Sequence, residues 1–242
     1  MVRILLFLFL FCSSVFQALS QDLEKTLAKT VKFYDKERYE MDIQHLLYSL
    51  DGEKLYEQQD IVILKDGDNY YASSYGIEKI KNSNYQVIVN HQTRLIFISS
   101  LKGQMSDEDK KQQREIQSDL RQLFSVMQDM SYDKQNNIQY LGIQGNNQVY
   151  HATFRDGVYE GADFYFDKET GQVKRSVYFT RDALEVQPGV REKAKLVILP
   201  KKFKTKGSID KKRFSTDAIF RIGSDKQIVL TDQYKGYTPI VE

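Results

Sequence analysis

Ala162-Asp163-Phe164-Tyr165-Phe166-Asp167-Lys168-Glu169-Thr170-Gly171 is the stretch that decides the fold. An aromatic-rich strand runs into Asp167, whose carboxylate suits a turn in which it caps its own backbone. Gly171 follows, able to take the positive φ that ends such a turn. The chain then resumes as a second strand, Val173 to Thr180. Antiparallel neighbours are expected throughout, because parallel pairs need crossovers of about a dozen residues or more.

The same texture recurs on both sides of this hairpin. Strands are expected at Ile138 to Ile143 and Val149 to Phe154, and before them at Ile61 to Lys65, Tyr70 to Tyr75, Tyr85 to Val89 and Leu95 to Ser99. Their separators, Asp51-Gly52, Asp66-Gly67-Asp68, Asn82-Ser83-Asn84 and Asn90-His91-Gln92, are turn-prone. From Arg38 to Leu50 the residues Tyr39, Met41, Ile43, His45 and Leu47 alternate with Glu40, Asp42 and Gln44, the period of a strand with one wet face. Downstream, Arg181 to Val190 is less regular around Pro188-Gly189. Further strands are expected near Leu196 to Leu199, Ala218 to Ile222 and Ile228 to Thr231.

Two segments change period. Leu23, Leu27, Val31 and Tyr34 recur at helical spacing between Asp22 and Lys36, an amphipathic helix of about four turns. Ser106 suits an N-cap, with Asp107, Glu108 and Asp109 at the positive end of the helix dipole. Ile116, Leu120, Leu123, Phe124, Met127 and Met130 then form an apolar stripe, so a helix is expected over 107–130. The sum is a mainly β (α+β) chain: a single antiparallel half-barrel domain over 21–242. It is expected as a curved antiparallel sheet or incomplete β-barrel with an N-terminal helix and an inserted lid helix.

Composition narrows the class. Of 242 residues 41% are hydrophobic, which is enough for a core, and the one Cys excludes an internal disulfide framework. Residues 1–20 have the pattern of an export signal: Arg3, an apolar run from Ile4 to Phe11, and Ala18-Leu19-Ser20 before a start at Gln21. The run falls short of the ~20 apolar residues of a spanning helix. Phe11 stands before Cys12, where a lipoprotein signal needs a small residue. Cleavage removes Cys12 and with it thiol catalysis and Cys-based zinc sites. An exported protein is expected, periplasmic or else secreted.

Asp68-Asn69-Tyr70-Tyr71, Asn84-Tyr85-Gln86-Val87-Ile88-Val89-Asn90, the stretch 162–171 and Tyr234-Lys235-Gly236-Tyr237 resemble uncharacterised exported proteins of Bacteroidota. Those proteins share the periplasmic lipoprotein-carrier, or LolA-like, half-barrel. The resemblance covers most of the chain after the signal. It implies a helical lid over an apolar cavity that receives acyl chains, hence a non-enzymatic carrier of lipid or lipoprotein. Tyr39, Met41, Ile43, Leu47, Leu120, Leu123, Phe124, Met127 and Met130 are the residues that would line such a cavity, or else form plain core.

Enzymatic chemistry finds little support. His45, His91 and His151 lie in separate strands or turns, without the spacing of a helical metal site. There is no nucleophile elbow, P-loop or dinucleotide fingerprint, and no cofactor or metal is expected. A hydrolase using paired carboxylates is the enzymatic alternative.

Charge placement is more informative. Between Arg191 and Arg213 ten basic residues (Arg191, Lys193, Lys195, Lys201, Lys202, Lys204, Lys206, Lys211, Lys212, Arg213) face two acids, Glu192 and Asp210, a local net of +8. With 34 basic and 33 acidic residues after Ser20, the rest of that chain carries −7. Such asymmetry suits an anionic membrane surface or an acidic protein partner, with nucleic acid not expected; a solvated loop is the alternative. Lys201, Lys202, Lys204, Lys206, Lys211, Lys212 and Arg213 are the candidate contact residues, with Phe203 and Phe214 as aromatic anchors. Docking through them would make the protein an interaction subunit of a cell-envelope assembly.

Overall fold

The structure, a computed structural model, describes residues 23–101, 137–224 and 227–241. The export signal with Cys12, the helix expected over 107–130, and its Leu120, Leu123, Phe124, Met127 and Met130 lie outside the described residues.

Helix α1 covers 23–34. The strands are β1 (Arg38–Ser49), β2 (Leu55–Asp66), β3 (Asn69–Ser74), β4 (Ile77–Lys81), β5 (Tyr85–Asn90), β6 (Leu95–Ser100), β7 (Asn137–Gln144) and β8 (Asn147–Thr153). They continue as β9 (Tyr159–Asp167), β10 (Val173–Thr180), β11 (Leu184–Gln187), β12 (Val190–Glu192), β13 (Ala194–Lys204), β14 (Phe220–Ile222), β15 (Ile228–Leu230) and β16 (Thr238–Val241). Among the described residues twelve of them hydrogen-bond in the order β16-β6-β5-β4-β3-β2-β1-β13-β10-β9-β8-β7, an open sheet with β7 and β16 at its ends. The chain is thus mainly β, with an N-terminal helix and a sheet that does not close.

The chain forms two compact units. The first contains α1, residues 48–54 and the strands from β7 to the first half of β13. Its deciding hairpin is β9–β10. Asp167 Oδ1 accepts the backbone N–H of Glu169 at 3.1 Å and of Thr170 at 2.9 Å, and Gly171 sits at φ +74°. These bonds, that from Thr170 N–H first, hold the Asp167 carboxyl below the usual carboxylate range. Helix α1 lies on this hairpin, but on a face turned from the one its apolar spacing predicts. Thr26, Leu27, Thr30 and Tyr34 are buried, whereas Val31 is 39% exposed. Two long-range hydrogen bonds account for the rotation: Thr30 Oγ1 donates to the Gly171 carbonyl at 2.7 Å, and Thr26 Oγ1 donates to Gln148 Oε1 at 2.9 Å. Two threonines so satisfied are cheap to bury. Tyr34 packs there too, and burial pushes its hydroxyl pKa up. The Tyr150 hydroxyl lies 3.3 Å from Thr26 Oγ1 and Tyr34 donates to the Val173 carbonyl at 3.5 Å, and the Tyr150 and Phe166 rings meet edge to face at 5.9 Å.

The second unit contains most of β1, β2 to β6, the second half of β13 and the chain to the C-terminus. One face of its strands presents Leu64, Tyr71, Ile80, Val87, Val89, Ile96 and Ile98. The C-terminal segment covers that face with Phe214, Ile219, Phe220 and Tyr234, flanked by Ile209, Ile228, Leu230 and Tyr237. Asn82 ties the two together, since its Nδ2 donates to the Phe214 carbonyl at 3.0 Å while its Oδ1 caps the β4–β5 turn. β16 then pairs parallel to β6, with Thr238 opposite Leu95, against the antiparallel expectation. The long intervening chain removes the length restriction on parallel pairing, and Thr238 N–H donates to the Arg94 carbonyl at the start of β6.

Candidate functional site

Strand β13 continues the Leu196 to Leu199 expectation as far as Lys204, so Lys201, Lys202 and Lys204 belong to a strand rather than a loop. Alternation along it sends Lys202 and Lys204 to one face, and Lys201 and Phe203 to the other. The Phe203 ring lies 5.6 Å from that of Tyr39 on β1. Lys202 is held by Glu40, to which it donates, and by Asp42 at 3.7 Å. The Glu40 bond first, then the charge of Asp42, raise the Lys202 pKa.

Beyond β13 the basic residues separate further. Lys211, Lys212 and Arg213 begin a 3-10 turn, Lys211–Phe214, capped by Asp210, whose Oδ1 accepts Lys212 N–H at 3.1 Å. Arg213 lies over the Tyr71 ring and donates to its hydroxyl at 3.0 Å. Phe214 is 5% exposed within the core, which corrects its expected part as a surface anchor: the apolar face of β2 to β6 claims the ring. In the other unit Lys193 pairs with Glu160 at 3.1 Å and Arg191 donates to the Ala183 carbonyl at 3.1 Å. Lys201, Lys204, Lys206, Lys211 and Lys212 are exposed and make no ion pair among the described residues.

The structure does bring Lys204 and Lys206 together. With Arg38, Glu40, Thr205, Gly207, Ser208 and Ile209 they line a cleft of about 240 Å³ where β1 begins and β13 ends. Arg38 Nε is buried without a hydrogen-bond partner, its nearest carboxylate oxygen being that of Asp66 at 3.8 Å. Sequence reading left Arg38 and Glu40 out of the candidate residues, because their meeting with Lys204 depends on the non-local neighbourhood of β1 and β13. A charged residue opening a strand was the available signal.

Of the expected cavity residues, Tyr39, Met41 and Ile43 are buried and follow the predicted alternation. Beyond Ile43 the burial slips by one position. Leu46 is buried while His45 and Leu47 are half-buried. His45 Nδ1 lies 2.9 Å from the Tyr75 hydroxyl, and burial lowers its pKa.

The other histidines have carboxylate partners. His91 lies 3.1 Å from Glu78 and 2.9 Å from the Tyr237 hydroxyl, and His151 lies 2.7 Å from Asp163. Beside His91, burial first and Glu78 next push the Tyr234 hydroxyl up to about 12. Among the described residues no group of three or more His, Cys, Asp or Glu is placed to hold a metal, and no helix is long and apolar enough to cross a membrane.

No protein-family model matches the chain, and no curated protein matches it. Solved structures do. An uncharacterised conserved protein from Thermus thermophilus is 9% identical with a TM-score of 0.43, over 90% of this chain and 98% of that one. A LolA superfamily protein from Nitrosomonas europaea is 11% identical with a TM-score of 0.32, over 80% of this chain and 97% of that one. The complex of MucA and MucB from Pseudomonas aeruginosa is matched at 13% identity and a TM-score of 0.36, over 86% of this chain and 63% of that one.

Proposed function

We propose that the protein is a non-enzymatic binding module of the cell envelope, acting in the periplasm and docking on an anionic partner through the end of β13 and the loop after it. The cleft framed by Arg38, Lys204 and Lys206 carries this reading. Its lining holds three cations and one carboxylate, and that carboxylate, Glu40, already accepts from Lys202. Lys204 and Lys206 are exposed and make no ion pair among the described residues, and such cations raise the encounter rate with anionic surfaces. At about 240 Å³ the cleft is also below the ~300–1,000 Å³ typical of pockets that enclose a whole small molecule. A surface contact fits it better than engulfed cargo.

The carrier reading keeps one observation in its favour, the buried run Tyr39, Met41 and Ile43, to which Leu120, Leu123, Phe124, Met127 and Met130 would add a lid. Charge reversal separates the two. The full chain, immobilised, is offered an extract of its own envelope, beside a variant with Lys201, Lys204, Lys206 and Lys211 changed to Glu. Lys202 and Arg213 are left intact because they hold Glu40 and Tyr71. Docking through the basic end predicts that the variant unfolds like the parent yet loses the retained material. Retention unchanged by the four substitutions would reject docking and favour an apolar cargo.

A further inference from the structure

The cleft at the start of β1 has the donors of a phosphate site, and we infer that it binds a phosphoryl group. This rests on the docking reading and names the chemistry that the partner presents there. Four kinds of donor belong to the residues of its lining. The Arg38 guanidinium, whose planar fork matches oxyanions, lines the cleft with a buried Nε that lacks an acceptor. Lys204 and Lys206 line it from the strand end and the loop, and their ammonium groups have no partner among the described residues. The hydroxyls of Thr205 and Ser208 are likewise free of partners there. Gly207, between them, holds φ +102°, a conformation closed to most side chains. A Cβ built on it would meet nothing within 4 Å, so the loop leaves the approach to its backbone open.

The opposing charge is small. Glu40 is the one carboxylate of the lining, and its Oε1 accepts from Lys202, which also offsets Asp42 at 3.7 Å. Asp66 lies 3.8 Å from Arg38 Nε, beyond hydrogen-bonding distance, so the guanidinium keeps donors for another acceptor. A carboxylate ligand would use two oxygens of one plane, whereas a tetrahedral phosphoryl group can meet Arg38, the two lysines and the loop hydroxyls from different directions. The volume accommodates the group and the atoms next to it rather than a long apolar tail.

The source of that group is either a soluble phosphate compound or the headgroup of an anionic phospholipid. Amide spectra of the full chain are recorded during titration with inorganic phosphate, with sodium chloride at equal ionic strength as control. Its sedimentation with phosphatidylglycerol and with phosphatidylcholine vesicles is measured in parallel. The expected result is a saturable movement of the Gly207 and Ser208 resonances with phosphate but not chloride. The double variant Lys204→Ala, Lys206→Ala, which removes no ion pair, weakens it at least tenfold.

Binding of phosphatidylglycerol vesicles with the same residue dependence assigns the headgroup as the source. Phosphate binding without vesicle binding assigns a soluble compound. Absence of any saturable shift, or a shift indifferent to the double variant, overturns the inference. If capture of envelope material still depends on the lysines when phosphate fails, the docking reading survives and the phosphoryl assignment alone falls.

Discussion

Replacing Gly171 by Ala tests whether α1 is built onto the β9–β10 hairpin as described. Two separate costs arise. Gly171 holds φ +74°, and a left-handed conformation costs an L-residue about 1–2 kcal/mol. A Cβ there would come within 2.6 Å of Lys29 Cβ and 2.7 Å of Thr30 N, distances that ordinary Cβ atoms do not reach. Helix α1 would have to back away, at an overpacking cost of about 1–3 kcal/mol. Such a movement also lengthens the 2.7 Å bond from Thr30 Oγ1 to the Gly171 carbonyl, worth about 1 kcal/mol. The expected loss is therefore about 3–6 kcal/mol.

Gly145 supplies the control, since it holds φ +61° in the β7–β8 turn with nothing within 4 Å of a built Cβ. Gly145→Ala should show only the conformational cost, about 1–2 kcal/mol. Urea unfolding of the full chain, followed by circular dichroism, measures both. Equal losses for the two variants would show that α1 does not sit against Gly171.

Three further outcomes are expected. Phe214→Ala empties a buried ring site over the second unit's strands and should cost about 3–5 kcal/mol in denaturant unfolding; a loss typical of a surface residue would remove the C-terminal segment as the cover of that face. His45 has a folded pKa below its unfolded value of 6.5 because burial disfavours its charged form. Its contribution to stability is present above about pH 6.5 and lost as pH falls through the folded value. Thermal melts should accordingly show His45→Gln losing less stability than the parent between pH 7 and pH 5, and parallel curves would contradict the burial of His45. Lys202→Glu sets a third carboxylate beside Glu40 and Asp42 and should lower the melting temperature clearly more than Lys201→Glu, which breaks no ion pair; an equal effect would contradict the pairing.

Local chemistry was legible in the sequence and long-range partnership was not. The Asp167 turn, the Asn82 and Asn90 turns and the alternation from Tyr39 to Ile43 all depend on residues within a few positions of one another. β4 was missed because its turn is Tyr75-Gly76, in which Tyr75 at φ +50° gives no turn signal of its own. The face of α1 was misplaced because threonine counts as polar until Gly171 and Gln148 are known to receive its hydroxyls. β16 escaped notice because only its parallel pairing with β6 makes Thr238–Val241 a strand.

The site divides the same way. The basic segment was visible as composition, but its sorting into a paired Lys202, an aromatic-stacked Arg213 and a free Lys204 and Lys206 depends on β1 lying beside β13 and on β3 lying against the 3-10 turn. Arg38 joins the site through the fold alone.

Docking through the basic end is tested most directly by native mass spectrometry of the protein taken from the cells that make it, beside the Lys204→Glu, Lys206→Glu variant prepared identically. An anionic adduct, protein or phosphate-bearing, is expected on the parent and absent from the variant. An adduct retained equally by both, above all an uncharged apolar lipid, would contradict docking through Arg38, Lys204 and Lys206 and restore the sheet interior as the place where this protein binds.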